Sequence, residues 1–124
     1  MILLTPQIHA RLLANGLKPN VDHTPLVKLF NPVGAATWLA SELDEDGDTL
    51  FGLADLGFGC PELGSFSLSE ITSVRLPFGL GIERDILFEG HFPLSVYAEA
   101  ARLAGSIVLT ERLLRQAARR REAW

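Results

Sequence analysis

Apolar residues recur at helical spacing near the start of the chain and over its last quarter, with short apolar runs between these regions. The first helix is predicted to begin at Thr5-Pro6, a threonine N-cap followed by a proline, which suits the first helical position. Asn15-Gly16 supplies its C-terminal stop signal. The apolar face of this helix is formed by Ile8, Leu12 and Leu13.

Three short apolar runs follow a turn-rich segment and predict strands over residues 26–30, 36–43 and 49–56. The acidic segment 44–48 joins the second and third runs, and its Asp46-Gly47 pair is a strong hairpin signal. We therefore expect a meander of two or three antiparallel strands.

Turn and cap residues organise the middle of the chain. Three glycines and a proline predict a loop over residues 57–64. Ser67 and Glu70 have the spacing of a capping box, which predicts a short helix after Ser67. Residues 82–88 combine charged and apolar positions and predict one more strand.

From Pro93 to the end the pattern predicts a single long amphipathic helix, in which Gly105 is the only weak helix former at an interior position. Its length would be roughly 45 Å, so its second half is expected to project or to contact another chain. The predicted fold is α+β, with a small antiparallel sheet of three to four strands, an N-terminal helix, a short middle helix and the long C-terminal helix. A core of residues 1–92 and the helix of residues 93–124 would form one domain.

Composition narrows the class further. The chain has 124 residues, of which 48% are hydrophobic and 21% charged, so a globular domain is expected rather than a disordered one. The single cysteine, Cys60, excludes an internal disulfide and fits a reducing compartment. Neither a secretory signal nor an apolar run long enough for a membrane span is present, which favours the cytoplasm and no membrane partner.

Charge is distributed unevenly along the chain. Residues 1–101 carry five basic and thirteen acidic side chains, a net charge of −8, whereas residues 102–124 carry six arginines and two glutamates, a net charge of +4. The acidic part should repel nucleic acid, so only the tip at residues 119–121 offers it a contact. An unknown protein partner is the preferred expectation, although arginines also suit the last turns of a helix. The candidate partner-binding residues are Arg112, Arg115, Arg119, Arg120, Arg121 and Trp124.

Metal and cofactor chemistry is not indicated. Asp44, Asp46 and Asp48 alternate like the first ligands of a calcium loop, but the sixth position holds Thr49 instead of the required glycine. The three histidines lack zinc-ligand spacing, and the glycine pairs lack the pattern of a phosphate loop. We therefore expect no metal, no cofactor and no catalytic residue, and whether the protein is an enzyme stays open.

One charged cluster could form a cleft. On a strand, Glu83 and Asp85 point to one face and Arg84 to the other. A structural ion pair of Arg84 with Glu62 or Glu70 is the preferred interpretation. The alternative is a ligand-binding or catalytic cleft between the short helix and the last strand. Its candidate residues are Glu62, Glu70, Arg84 and Asp85, with Arg75 and Glu83 beside them.

Several of these segments together resemble a bacterial domain-of-unknown-function family, numbered 2958, over roughly residues 1–94. The most specific strings are E-L-G-S-F-S-L-S-E at residues 62–70 and G-I-E-R-D at residues 81–85, supported by Thr37-Trp38 and the turn at residues 46–48. Members of the family resemble cargo of plasmids and integrative elements, which implies a mobile genetic element as the setting. The helix after Pro93 is expected to lie outside the resemblance.

Three functions remain as hypotheses. The first is a non-enzymatic binding protein of a mobile genetic element, such as an anti-defence factor that inhibits a CRISPR or restriction complex by protein–protein contact. The second is a small enzyme or ligand-binding domain that uses the charged cleft. The third is a homo-oligomeric structural module that dimerises through the C-terminal helix, where Leu103, Ile107 and Leu114 form a short seam.

Overall fold

In the computed structural model, which describes residues 2–122, helices cover both faces of a five-stranded antiparallel sheet. The helices and strands are α1 (Pro6–Gly16), β1 (Val27–Phe30), β2 (Thr37–Leu43), β3 (Thr49–Asp55), β4 (Glu62–Ser67), α2 (Leu68–Ser73), β5 (Glu83–Arg84), α3 (Leu94–Ala104) and α4 (Glu111–Glu122). The strand order across the sheet is β4-β3-β2-β1-β5. The predicted α+β class is confirmed, with a sheet slightly larger than the three to four strands expected.

Local signals account for the first helix and the central hairpin. The Thr5 hydroxyl accepts a hydrogen bond from the Ile8 N–H (3.1 Å), as an N-cap should. In the turn between β2 and β3, the Asp46 carboxylate accepts hydrogen bonds from the N–H groups of Asp48 and Thr49 (both 2.8 Å). Gly47 takes the left-handed conformation that this turn needs, with φ 72°.

The core lies on both faces of the sheet. Leu39 and Ala40 are neighbours on β2 and therefore point to opposite faces, where each joins a different apolar cluster. The cluster of Ala40 packs under α1 and α2, with Leu12 fully buried. The cluster of Leu39 packs under α3 and α4.

Two boundaries in the second half of the sheet differ from the prediction. Residues 57–64 were expected to form a loop, but β4 begins at Glu62 and pairs with β3 through residue 67. Its glycine, Gly64, lies opposite Gly52, so tertiary pairing overrides the local turn signal. The predicted strand over residues 82–88 shrinks to Glu83–Arg84, because the chain turns at Asp85, whose carboxylate accepts the Leu87 N–H and whose carbonyl accepts the Phe88 N–H.

The prediction of one long C-terminal helix is wrong. α3 ends at Ala104, Gly105 takes the left-handed conformation of a C-cap (φ 76°), and α4 begins six residues later. The second helix does not project: Leu114 and Ala117 on α4 are buried against α3 and the sheet. No helix among residues 2–122 is long and apolar enough to cross a membrane.

Candidate protein-interaction surface

A buried carboxylate links the sheet to the connection between α3 and α4. Asp55, at the end of β3, is only 5% exposed. One of its oxygens accepts the Gly57 N–H (2.9 Å) and the other accepts the Ile107 N–H (3.1 Å) in the connection between α3 and α4. This carboxylate joins the sheet to the segment that turns the chain back, and so it sets where α4 lies.

α4 runs antiparallel to α3. Ala104 and Leu113 line one end of the groove between the two helices, and Arg120 lies opposite Glu99 at the other end, with 3.6 Å between Nε and Oε1. Because Leu114 and Ala117 face inward, the side of α4 that carries arginines faces solvent.

Three arginines form a row on that exposed side, which we call the arginine row: Arg112, Arg115 and Arg119. Their spacing of three and four residues places them one above the other, and with Glu111 they border a shallow depression of about 370 Å³. Arg115 Nη2 lies 2.6 Å from Glu111 Oε1. This hydrogen bond, together with the arginine charge, lowers the pKa of the Glu111 carboxyl.

The other predicted partner-binding residues are placed differently. Arg120 is turned toward Glu99, which also pairs with Arg102 at 2.9 Å. Hydrogen bonding from Arg102 is the main reason that the pKa of Glu99 is lowered. Arg121 is exposed in the last turn, and Trp124 lies outside the described residues.

The helix dipole explains some of these arginines but not all of them. Arg119, Arg120 and Arg121 occupy the last turn, where positive charge is favourable. Arg112 occupies the first turn, where the partial positive charge of the helix N-terminus disfavours a cation by a few tenths of a kcal/mol. The helix dipole therefore gives no reason for an arginine at this position.

The charged residues predicted to line a cleft do not all come together. Glu62 and Arg84 lie on β4 and β5, the two edge strands of the sheet, roughly 19 Å apart at a strand spacing of about 4.8 Å. The Arg84 guanidinium donates to the backbone carbonyls of Ile2 (2.9 Å) and Leu3 (3.0 Å) and so holds the N-terminal segment. Asp85 pairs with Lys28 at 3.4 Å, and Glu70 is exposed on α2, where its N–H donates to Ser67.

A cleft of about 510 Å³ does lie between the end of α2 and β5, where the sequence predicted one. Arg75 and Glu83 line it together with Leu3, Thr72 and the glycine-rich segment 79–81. At its border Phe78 has a positive φ of 65° and is 94% exposed. An L-residue in this conformation is strained, and strain of this kind often occurs at binding loops. The sequence carried a faint signal for it in Pro77-Phe78-Gly79, a turn with an aromatic residue at its tip.

The acidic turn between β2 and β3 is structural. Asp46 bonds within the turn, whereas Asp48 accepts hydrogen bonds from the Ser67 hydroxyl and the Ser69 N–H (both 2.7 Å) at the start of α2. These hydrogen bonds lower the pKa of both carboxyls, the largest contributions coming from the Thr49 hydroxyl for Asp46 and the Ser67 hydroxyl for Asp48. Within residues 2–122, no three histidine, cysteine or acidic side chains are grouped so that they could hold a metal ion.

Comparison with known proteins identifies the family. The family described as "Protein of unknown function (DUF2958)" matches residues 3–108. The chain belongs to this family. Neither a curated protein nor a solved structure matches the chain.

The DUF2958 match extends further than the resemblance to residues 1–94. It includes all of α3 and ends at residue 108, just after the Ile107 N–H that Asp55 accepts. The expectation that everything after Pro93 lies outside the family is therefore wrong for α3. Only α4, with its arginine row, lies beyond the matched residues.

Proposed function

We propose that this DUF2958 protein is a non-enzymatic binding protein that contacts an acidic surface of a partner protein through the arginine row of α4. The observation that carries the proposal is the geometry of α4. Leu114 and Ala117 on its apolar side are buried in the protein's own core, while Arg112, Arg115 and Arg119 are aligned on the opposite side.

The electrostatics of the chain favour a protein partner over nucleic acid. The arginine row extends over about two helical turns, whereas residues 1–101 carry a net charge of −8. A long polyanion bound at the row would also approach this acidic region and be repelled. A compact acidic patch on a protein can cover the arginine row without approaching this acidic region.

The family resemblance suggests the biological setting of the proposal. We place the protein in the cytoplasm as an accessory factor of a mobile genetic element, where it would act on a host defence assembly such as a CRISPR or restriction complex. Binding to such a complex would require no catalytic group of the protein's own. Expressed in a host with an active defence system of this kind, the protein should raise the efficiency of plasmid transfer.

The experiment uses two variants with the same loss of charge. The first replaces the three arginines of the row with glutamine (R112Q, R115Q and R119Q). The matched control replaces three exposed basic residues elsewhere (R11Q, K18Q and R75Q). Tagged wild-type and variant proteins are used to capture partners from a bacterial lysate, and the captured partner is then purified for affinity measurements.

The row variant should bind the partner about ten- to a hundredfold more weakly, since each exposed ion pair contributes up to about 1 kcal/mol. The control should bind like the wild type, and binding should weaken as salt is added. Plasmid transfer should follow the same order. Equal capture by the row variant, or tighter binding to double-stranded DNA than to any protein, would contradict the proposal.

A further inference from the structure

The outer edge of β4 carries backbone groups that point away from the sheet. β4 is the last strand in the order, and it pairs with β3 alone. The Leu68 N–H donates to the Asp48 carbonyl (2.9 Å), which fixes the alternation of hydrogen-bonded pairs along the two strands. Glu62, Gly64 and Phe66 therefore direct their N–H and C=O groups toward β3. The corresponding groups of Leu63 and Ser65 point outward.

Apart from the charge of Glu62 at its first residue, this edge lacks the features that usually prevent strand pairing. No lysine, proline or bulge interrupts the strand, and Pro61 lies just before it. Leu63 is 49% exposed and points to the same face as its partner Leu53, the face covered by α3 and α4. Leu56 and Phe58, both exposed, border the start of the strand beside Glu62. A backbone edge with exposed apolar side chains alongside is suited to receive another strand.

We propose that β4 pairs antiparallel with β4 of a second copy of this chain, about a two-fold axis through Gly64. The two five-stranded sheets then form one continuous sheet across the dimer. In this register Leu63 of each copy lies opposite Ser65 of the other. Because both residues direct their backbone groups outward, the two pairs form four hydrogen bonds.

Two features of the β4 sequence suit a second copy paired about this axis, namely that no two like charges lie opposite each other and that glycine lies at the axis. Glu62 is the only charged residue of β4, and the axis places it opposite Phe66 of the second copy rather than opposite another Glu62. The two Gly64 residues face each other in a pair without hydrogen bonds, where strands approach most closely and a residue without a side chain leaves room. No hydrogen bond in the register depends on Pro61, which has no N–H.

The dimer seam predicted from the sequence is partly used within the monomer. Leu114 is buried inside the monomer and Ile107 packs against the same core cluster, whereas Leu103 is 52% exposed. The seam therefore offers a second copy mainly the side chain of Leu103. The β4 edge is the stronger candidate for self-association.

The test measures the mass of the full-length protein over a wide concentration range by sedimentation equilibrium, with amide hydrogen exchange in parallel. The wild type should dimerise, and the Leu63 and Ser65 amides should gain protection from exchange as the fraction of dimer rises with concentration. Ser65→Pro removes an N–H that points away from β3, so the monomer keeps its fold while dimerisation weakens by about tenfold or more. A proline control at another exposed serine, Ser73→Pro, would disturb α2. The matched comparison is therefore made with lysine, with Ser65→Lys as the test variant and Ser73→Lys as its control.

A charge pair tests the register. Ser65→Lys mixed with Leu63→Glu should form a heterodimer in preference to either homodimer, because the register places the new lysine opposite the new glutamate. The Ser73→Lys control should show no such preference. A protein that stays monomeric to about 1 mM would overturn the proposal, since association that weak would contribute only about 4 kcal/mol. A dimer that is unaffected by Ser65→Pro would also overturn it.

Discussion

Asp55 should contribute more to stability than any other polar side chain that this structure buries, because it joins two distant segments. Asp55→Ala removes the acceptor of both the Gly57 and the Ile107 N–H groups. A buried donor left without an acceptor costs about 1 to 3 kcal/mol. Both sites are partly buried, so we take about 1.5 kcal/mol each and expect a loss of about 3 kcal/mol. That is a large part of the 5 to 15 kcal/mol typical of a domain.

The assay is equilibrium unfolding in urea, followed by both circular dichroism and tryptophan fluorescence. Asp22→Ala serves as the control, because Asp22 is an exposed aspartate that accepts hydrogen bonds from Ser95 at the other end of α3. Its loss should cost about 1 kcal/mol, because it leaves one N–H of the first helical turn without its side-chain acceptor, as the loss of an N-cap does. Hydrogen exchange should show the Ile107 amide losing protection in Asp55→Ala and retaining it in Asp22→Ala.

The result that would refute this reasoning is a loss of about 1 kcal/mol or less for Asp55→Ala. The hydrogen bonds of Asp55 would then be replaceable by water, and the connection between α3 and α4 would be held by apolar packing alone. Asp55→Asn provides an internal check. It retains one acceptor oxygen, so it should cost less than the alanine variant while still exposing one of the two N–H groups.

Two other substitutions test local features. Phe78→Gly should raise the free energy of unfolding by about 0.5 to 1 kcal/mol in the same urea assay, because relief of the positive φ outweighs the greater chain entropy of glycine. A destabilised Phe78→Gly protein would mean that the exposed ring packs on the loop after all. Asp48→Asn should make the free energy of unfolding fall less steeply as the pH is lowered. The pKa of Asp48 is lowered in the folded state by the Ser67 and Ser69 hydrogen bonds, so its contribution is complete above the ordinary value of 3.8 and is lost as the pH falls below it. Unfolding at a series of pH values from about 6 to 3 measures this, and parallel curves for wild type and variant would contradict it.

Features encoded by neighbouring residues could be predicted from the sequence. The Thr5 cap and the Asp46-Gly47 turn act within a few residues of themselves, and both form as expected. The capping box is half formed: the Ser67 hydroxyl accepts the Glu70 N–H and itself donates to Asp48, a residue on the neighbouring hairpin. That second contact depends on the pairing of β3 with β4, which no local pattern indicates.

The break between α3 and α4 shows where local reasoning fails. Gly105 within a helical pattern costs only about 1 kcal/mol, so an uninterrupted helix was the natural interpretation. The structure instead uses the left-handed freedom of Gly105, and Asp55 accepts the Ile107 N–H that a helix would have bonded internally. Ile107 and Val108 still pack in the core, but from a connection rather than from a helix. The missing information was a contact between residues 52 positions apart in the chain.

The hydrogen bond between Asp55 and the Ile107 N–H also predicts which substitutions should weaken partner binding alone and which should weaken both binding and stability. Asp55 and Ile107 lie within the residues that match the family, whereas the arginine row lies just beyond them. The matched residues thus contain the hydrogen bond that holds the connection between α3 and α4, and α4 contributes the arginines. Substitutions in the row remove charge from a solvated face and should weaken partner binding with little change in stability. Asp55→Ala should weaken both, because it releases the connection that orients α4, and binding should recover if α4 is held in place by other means. Loss of binding without loss of stability in Asp55→Ala would mean that the partner contacts this connection directly and that the arginine row is not the whole interface.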